Sequence, residues 1–301
     1  MLKIFCVYHK PYHLFSSDVF EPIQTGCAEA SEDLKILRDD TGDNISHKNK
    51  NYGELSAWYW VWKNYLPLYP ETEYIGFCHY RRFLNFDKAP PSRKSFHNVI
   101  TDVEFKEQYF KKYSLERICE TIRGFDVILP GKYFFGRKDK SIYHQYVTSG
   151  HPKLEIDKLC SIIKAIYPDY ERDMEEYLSG RSSYLCLNYV MKKELFEKFM
   201  TWVFRLLDEM EKISDWSQYN EYSNQRTPAY LMERFFNVWL NHQIRVNHIK
   251  ILEREGILIS SFLQPIEIKK HFFFGITLIK AYEKRILKIF GLKIRLKDLY
   301  P

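Results

Sequence analysis

The stretch with the clearest chemical potential is the run Tyr74–Phe83, whose sequence is YIGFCHYRRF. Its first half is apolar and predicts a short buried strand, and its second half brings together His79, Tyr80, Arg81 and Arg82. Burying a guanidinium without a partner is costly, so arginines at the end of such a strand indicate an anionic ligand. Ligands of open α/β sheets bind beyond the carboxyl ends of the strands, and guanidinium groups suit phosphate oxygens. The cluster therefore predicts a phosphate or diphosphate site, with a pair of surface arginines as the alternative.

Other polar residues follow other predicted elements. His9 and Lys10 end the apolar run that opens the chain, and they suit a base or hydroxyl and a phosphate, respectively. The polar loop of residues 40–51 contains Asp43, Asn44 and Lys48, which suit ribose, base or sugar hydroxyls. Asp and Asn also form turns through bonds to their own backbone, so both roles stay open for this loop.

Composition and length predict a folded protein with a large core. The chain has 301 residues, of which 45% are hydrophobic and 17% aromatic. It contains no run of about 18 apolar residues that would span a membrane, and its first residues predict a strand and not a signal peptide. The six cysteines are far apart and form no C-x-x-C pair, which argues against zinc and redox motifs and indicates a reducing, cytoplasmic setting.

Positive charge is concentrated at the end of the chain. From residue 265 onward the chain has nine basic and three acidic residues. The net charge of this segment is therefore +6, which equals the net charge of the whole chain. The rest is balanced, which argues against a body that binds nucleic acid. Basic residues alternate with apolar ones over 266–301, and this pattern predicts an amphipathic tail that lies on an anionic membrane surface. A C-terminal helix packed on the domain is the alternative.

Short strands alternate with longer helices along the rest of the chain. Strands are predicted at 3–8, 74–78, 125–130, 185–191 and 249–252, and helices at 54–65, 103–123, 154–166, 169–178, 193–213 and 228–242. This alternation predicts an α/β fold: a single Rossmann-type layered domain over 1–265, with a mixed sheet flanked by helices, followed by the tail 266–301.

The order of helix 54–65, strand 74–78 and charged cluster resembles the nucleotide-sugar half of a GT-A glycosyltransferase. In that fold the strand ends in an Asp-x-Asp motif that holds a divalent metal on the donor diphosphate. His79-Tyr80-Arg81 stands at the matching place here. Cationic side chains can neutralise the diphosphate directly, so we expect no metal and no other cofactor.

The chain also resembles, over about residues 3–242, the capsular polysaccharide synthesis family of bacterial glycosyltransferases, long described as a domain of unknown function. The most specific matches are YHK at 8–10, PIQTG at 22–26, DTGDNIS at 40–46, KN at 48–49, YGEL at 52–55, WVWKN at 60–64 and GFCHYRR at 76–82. Looser matches are DVILP at 126–130, His151, Asn188, Trp202, and Glu233 with Arg234. The sequence departs from the family pattern at Gly53, where the family has Cys, and at Tyr189-Val190, where it has Met-Phe.

This resemblance implies a GT-A-like fold and the transfer of a sugar, galactofuranose in some members, to a growing glycan. We expect a hexosyltransferase-type enzyme that uses a nucleoside-diphosphate sugar, with a UDP-sugar as the first candidate and UDP-galactofuranose as one such donor. Its acceptor is expected to be a growing lipid-linked capsular or O-antigen-type polysaccharide. Carried over to the matching positions, the resemblance implies donor contacts from His9, Lys10, Thr25, Asp43, Asn44, Lys48, His79, Tyr80, Arg81 and Arg82.

The catalytic base and the acceptor contact are the remaining candidates. An inverting transferase needs a side chain that accepts the proton of the acceptor hydroxyl, and Glu233 is the first candidate. A helix salt bridge with Arg234 is its alternative role. His151 and Asp215 are further candidate bases, and a retaining mechanism stays open. Asn188 lies between apolar residues, where a buried amide needs partners, so we expect it to contact the acceptor.

A lipid-linked acceptor would be met at the inner face of the cell membrane, so we expect a cytoplasmic, peripheral protein that is anchored by its tail. The competing hypothesis is a non-catalytic glycan- or lipid-binding component of a polysaccharide assembly complex, with a degenerate nucleotide site. UDP binding distinguishes the two hypotheses.

Overall fold

A computed structural model describes residues 1–12, 14, 16–90, 97–100, 109, 111–136, 140–259, 276–281, 284–289 and 292–296. The strands are β1 Leu2–Tyr8, β2 Phe20–Gln24, β3 Leu37–Arg38, β4 Tyr74–His79, β5 Arg82–Asn85, β6 His97–Ile100, β7 Val127–Pro130, β8 Tyr133–Phe134, β9 Ser182–Ser183, β10 Tyr189–Lys192, β11 Ile251–Ile259, β12 Ile276–Ala281, β13 Lys284–Ile289 and β14 Leu292–Leu296.

The helices lie mainly between β3 and β11. They are α1 Asn49–Tyr52, α2 Leu55–Trp60, α3 Leu66–Leu68, α4 Leu115–Ile122, α5 Ile142–Thr148, α6 Lys153–Ile166, α7 Glu171–Ser179, α8 Lys193–Glu211, α9 Tyr222–Gln225 and α10 Thr227–Asn247. A π-helical turn, Val61–Tyr65, joins α2 to α3. None of the described helices is both long and apolar enough to cross a bilayer.

Nine of the described strands form one mixed sheet. The order β3-β2-β1-β4 is parallel throughout, and β10 then pairs antiparallel with β4. Strands β7, β11 and β5 continue the sheet, and β6 pairs with β11. Because β1, β2 and β4 run in the same direction, their carboxyl ends meet at one edge, which is where such sheets bind ligands.

Apolar side chains fill both faces of this sheet. Successive residues of β1 alternate between two cores, with Phe5 and Val7 in one and Ile4 and Cys6 in the other, as the two-residue period of a strand requires. The first and larger core also contains the buried faces of α2, α8 and α10. These faces are rich in aromatic rings, whose burial supplies much of the stabilising hydrophobic contact.

The predicted α/β fold with a mixed sheet flanked by helices is confirmed. The helices predicted at 154–166, 169–178, 193–213 and 228–242 correspond to α6, α7, α8 and α10, with α10 extending five residues further, to Asn247. The second half of the helix predicted over 103–123 corresponds to α4. Most of its first half lies outside the described residues.

Two other predictions differ from the structure. The strand predicted over 185–191 is wrong in its first half, because Cys186 has a φ of +57° within a turn and only β10 is extended. In the predicted tail, β12, β13 and β14 form a separate antiparallel sheet, so the alternative of a C-terminal helix does not hold for these strands. The remaining tail residues lie outside the described part of the chain.

Candidate functional site

A cleft of about 620 Å³ opens at the edge where β1, β2 and β4 end. His9 and Lys10 follow β1, and Thr25 follows β2. The opposite wall comes from the start of α10 and from the turn before β10. It consists of Leu185, Cys186, Arg226, Ala229, Tyr230 and Glu233. Residues distant in sequence therefore meet because the parallel strands end where α10 begins.

The charged cluster after β4 forms a tight β-hairpin. His79 pairs with Arg82 in the ladder between β4 and β5, so Tyr80 and Arg81 are the two residues of the turn. The Tyr80 backbone N–H donates to the Val7 carbonyl at 3.1 Å, which ties the hairpin to β1. The sequence prediction placed a charged cluster here but missed β5, because that strand has only four residues.

The two guanidinium groups of the hairpin form no ion pair with any described residue, although Arg81 lies 5.6 Å over the Tyr80 ring. The Nε–H groups of Arg81 and Arg82 are buried and donate to no acceptor within the described residues. The described structure also shows no carboxylate in ion-pair contact with either guanidinium, although both side chains line the cleft. Because an uncompensated guanidinium is costly to bury, this arrangement favours an anionic ligand.

Arg226 is a cleft residue that the sequence analysis missed. It directly precedes α10, and its guanidinium packs over Gly53. Gly53 has a φ of +56°, and a Cβ atom there would lie 2.7 Å from Nη2 of Arg226. A side chain at position 53 would therefore displace this arginine. The only sequence signal for Arg226 was its place before the helix-starting pair Thr227-Pro228.

Glu233 is held in the cleft by the turn before β10. The Cys186 backbone N–H donates to Oε1 of Glu233 at 2.6 Å, and the Glu233 side chain remains 23% exposed. Burial raises the pKa of Glu233, while Arg234, 3.9 Å away, and the Cys186 N–H oppose this shift. A carboxylate with a raised pKa accepts a proton more readily, so the position suits a general base.

Glu54 and His79 form a second titratable pair on the cleft floor. Oε1 of Glu54 lies 4.0 Å from Nε2 of His79, and both residues line the cleft. Burial lowers the pKa of His79, and the charge of Glu54 partly offsets this shift. Among the described residues, the ion-pair partner of Glu54 is therefore His79.

Aromatic rings surround the first strand's end. The Tyr12 ring stacks on Tyr80 with centroids 4.1 Å apart, and the His9 ring meets Tyr80 edge-on at 5.2 Å. Although much of the His9 residue is exposed, protein atoms exclude water around its ring. This desolvation, together with the charges of Lys10 and Arg226, lowers the pKa of His9 to about 4. His9 is therefore neutral near pH 7.

A buried network holds Thr25 at the cleft edge. The fully buried Asp39 accepts hydrogen bonds from the Ser46 and Ser56 hydroxyls at 2.6 and 2.7 Å and from the backbone N–H groups of Gly26 and Cys27. The Thr25 hydroxyl also lies 3.2 Å from Asp39. Asp39, for which the sequence carried no distinctive signal, fixes the loop after β2 and does not itself line the cleft.

Three residues predicted to contact the donor lie outside this cleft. The Tyr59 hydroxyl donates to Asp43 at 3.0 Å, and the Asn44 amide donates to the Gly42 carbonyl. Lys48 forms an ion pair with Glu211 at 2.7 Å. The structure thus places His9, Lys10, Thr25, His79, Tyr80, Arg81 and Arg82 together and leaves Asp43, Asn44 and Lys48 apart.

The alternative bases and the predicted acceptor contact also lie off the cleft lining. The His151 ring lies between those of Tyr146 and Tyr230, at 4.8 and 4.5 Å, and burial together with Arg234 lowers its pKa to about 4. Asp215 accepts bonds from Ser217 at the surface. Asn188 is fully buried just before β10, and both of its side-chain polar atoms lack partners within the described residues.

No group of three or more His, Cys, Asp or Glu in the described part of the chain is arranged to hold a metal ion. The cleft instead combines four cationic side chains with two carboxylates. They are Lys10, Arg81, Arg82 and Arg226, with Glu54 and Glu233.

Comparison with known proteins gives three results. No curated protein matches the sequence. The fold is similar to the apo structure of WbbM, a bifunctional glycosyltransferase, with a TM-score of 0.76 and 29% sequence identity. The match covers 86% of this chain and 45% of the WbbM chain, so this chain spans less than half of that protein's length. The family model described as "Domain of unknown function (DUF4422)" matches residues 3–244, and the chain belongs to this family.

Proposed function

We propose that this protein is a glycosyltransferase that moves a sugar from a nucleoside-diphosphate donor to a growing glycan. The observation that carries the proposal is the pairing, in one cleft, of uncompensated arginines with a carboxylate of raised pKa. The similarity to WbbM, a bifunctional glycosyltransferase, supports the same class of reaction.

Arg81 and Arg82 are proposed to bind the donor diphosphate. The diphosphate gains negative charge as the bond to the sugar breaks, and preorganised guanidinium donors stabilise that charge. Lys10 and Arg226 add positive charge on the same cleft, and His79 lies at its floor. In this proposal the cations act without a metal ion, so the leaving group is stabilised by protein side chains alone.

Glu233 is proposed to accept the proton of the acceptor hydroxyl. Its carboxylate is oriented by the Cys186 N–H and lies opposite the hairpin that carries the arginines. This role belongs to an inverting transfer, in which the hydroxyl attacks the sugar carbon as the diphosphate leaves. Asn188, buried next to this turn, is proposed to contact the acceptor after a local rearrangement that exposes its amide.

The donor is proposed to be a UDP-sugar, and UDP-galactofuranose is the first one to test. The acceptor is proposed to be a lipid-linked capsular or O-antigen-type polysaccharide. These details rest on the family resemblance of the sequence and on the basic C-terminal segment, which would hold the protein peripherally on the inner face of the membrane.

Thermal unfolding with nucleotides tests the proposal directly. We expect UDP to raise the melting temperature, in the presence as in the absence of EDTA, and we expect Arg81→Ala to lose this shift. Arg172→Ala is the matched control, because Arg172 is an exposed arginine on α7 that pairs with Glu176. An absent UDP effect would favour the non-catalytic glycan- or lipid-binding hypothesis, and a requirement for manganese would contradict metal-independent binding.

A further inference from the structure

The outer face of α8 carries a feature that the proposed function does not use. Two hollows of about 550 and 280 Å³ lie on this face, and both are lined by Thr201. Lining residues follow one another at helical spacing along α8. They are Glu194, Lys198, Thr201, Arg205 and Asp208. Residues 194 and 208 are roughly 20 Å apart by the rise of an α-helix. We call these two hollows together the α8 groove.

Aromatic rings line both ends of the α8 groove. At one end Tyr170 stacks on Trp202 with centroids 5.3 Å apart, and at the other Trp62 stacks on Phe204 at 6.1 Å. Trp62 belongs to the π-helical turn Val61–Tyr65, and such turns are frequent at functional sites. Aromatic rings with a few polar groups are the usual lining of a small-molecule site, and the C–H face of a sugar ring packs on them.

The charges of the α8 groove nearly cancel. Lys48 pairs with Glu211 at 2.7 Å, and Arg205 pairs with Glu209 at 2.8 Å. Lys63 lies 3.5 Å above the Trp62 ring, and Asp208 lines the same hollow. At the other end, Lys198 stands beside two glutamates. A groove of this kind does not attract phosphate or an anionic lipid surface, whereas its polar groups can bond the hydroxyls of a neutral saccharide.

The segment around α1 lines both the α8 groove and the cleft. Lys48 and Tyr52 line the groove, while Asn49 and Gly53, next to them in sequence, line the cleft. The Tyr52 hydroxyl donates to Glu211 at 2.6 Å, which fixes α1 against the end of α8. This placement also accounts for the polar loop of residues 40–51, whose Ile45 and Lys48 line the groove and not the cleft.

We propose that the α8 groove binds the acceptor glycan through sugar units remote from the one that receives the new sugar. The inference rests on the proposed function, which places the reacting end of that glycan in the cleft. An extended neutral oligosaccharide would leave the cleft across α1 and lie along α8, with its sugar rings against the half-buried Trp62 and then against the half-buried Tyr167 and Tyr170. The affinity for the acceptor glycan and the rate of sugar transfer to it should therefore rise with the length of the glycan.

Thr201→Arg tests this proposal, because Thr201 lies at the junction of the two hollows. The residue is exposed and its hydroxyl donates to the Glu197 carbonyl, so a long side chain would fill the groove without disturbing the core. Ser161→Arg is the matched control, since Ser161 is exposed on α6 and its hydroxyl makes the same bond to the Asp157 carbonyl.

The readout is the affinity for neutral galacto-, gluco-, manno- and rhamno-oligosaccharides of increasing length, measured by titration calorimetry without donor. We expect the wild type and Ser161→Arg to bind longer chains of at least one series more tightly than short ones. Thr201→Arg should lose at least tenfold in affinity for the long chains, and Trp62→Ala should weaken binding in the same direction. A wild type whose affinity does not rise with length, or a Thr201→Arg variant with unchanged affinity, would overturn the proposal.

Melting shifts with UDP and the release of UDP from UDP-sugars into water separate this inference from the proposed function. Both should be the same in Thr201→Arg and in the wild type, because the cleft is untouched. Failure of UDP binding in the wild type would remove the proposed function, while length-dependent binding of oligosaccharides would still show the groove. Tight binding of polyphosphate or anionic vesicles to the groove would contradict a neutral saccharide.

Discussion

The arginines of the hairpin differ from other arginines of the chain in their surroundings. Arg38 and Arg245 each pair with an aspartate at 2.5 and 2.6 Å, and these contacts stabilise loops and helix ends. Arg81 and Arg82 have buried Nε atoms that no described residue satisfies. At the scale of single residues, this contrast separates guanidinium groups that serve the fold from those available to a ligand.

Substitution of Arg81 tests its role in stabilising the leaving group. We expect Arg81→Ala to lower the release of UDP from a donor on the order of 100-fold, the usual cost of losing one preorganised donor. Arg81→Lys keeps the positive charge but loses the forked geometry of the guanidinium. Its rate of UDP release should therefore lie between those of the wild type and Arg81→Ala. Turnover is measured by UDP release, with Arg172→Ala as control. Retained turnover in Arg81→Ala would refute the role.

Glu233→Gln separates activity from stability. As a base, Glu233 must be ionised, so wild-type activity should rise with pH through its raised pKa and then level off. The glutamine variant should lose roughly 100- to 10,000-fold in transfer. A carboxyl whose pKa is raised on folding contributes stability at low pH that is lost as pH rises. Glutamine stays neutral at every pH, so at pH 8 the variant should melt at the same or a higher temperature than the wild type. The difference between the two melting temperatures should become smaller toward pH 4.

Two observations would contradict this account of Glu233. One is an unchanged transfer rate in Glu233→Gln, which would move the search for a base to His151 or Glu54. The other is a large loss of melting temperature at pH 8, which would mean that the carboxylate is part of the fold through its bond with Cys186.

At the scale of elements, the cleft depends on how loops are fastened to strands. The loop after β2 is held by Asp39, and the start of α2 contributes Ser56 to the same network. Asn49 donates from α1 to the Thr25 hydroxyl at 2.9 Å and to the Gly53 carbonyl. One buried carboxylate and one amide thus position the strand end, two helix starts and the glycine under Arg226.

Asp39→Asn should loosen this whole edge of the cleft. An amide offers one acceptor oxygen where the carboxylate offers two, so several buried donors would lose their partner, at a cost of about 2–4 kcal/mol. We expect a lower free energy of unfolding in urea and a smaller melting shift with UDP. Asp33→Asn is the control, because Asp33 is an exposed aspartate that pairs with Lys35. An equal effect of the two substitutions would show that the network does not hold the site.

At the scale of the whole molecule, the basic C-terminal segment is the part whose role rests on charge alone. Its described strands β12, β13 and β14 form their own sheet. The attraction between basic residues and an anionic lipid surface depends on their charge and not on the type of secondary structure that carries them. The predicted membrane contact therefore does not require a helix.

A chain that ends at residue 264 should lose binding to vesicles that contain anionic lipid. We expect the full chain to sediment with phosphatidylglycerol vesicles, less so as salt is raised, because salt screens the attraction. The shortened chain should remain in solution and keep its melting shift with UDP. Phosphatidylcholine vesicles are the control. Equal sedimentation of both chains with anionic vesicles would refute the role of the segment.

Much of the fold and part of the cleft were predictable from the sequence. Periodic apolar patterns predicted the long helices α6, α8 and α10, and the run Tyr74–Phe83 identified the strand and the cations that follow it. Local chemistry was enough here, because side-chain periodicity and a buried strand that ends in charge are properties of neighbouring residues.

Tertiary structure alone decided which polar residues share the cleft. Asp43, Asn44 and Lys48 were predicted as donor contacts together with Thr25, yet none of the three lines the cleft, and Lys48 pairs with Glu211 of α8. Arg226 and Glu54 enter the cleft because α10 and α2 begin beside the strand ends, and Cys186 donates to Glu233 only through a turn with positive φ. These contacts join residues far apart in the chain, so their positions depend on how the strands pair and on the direction in which each helix leaves the sheet.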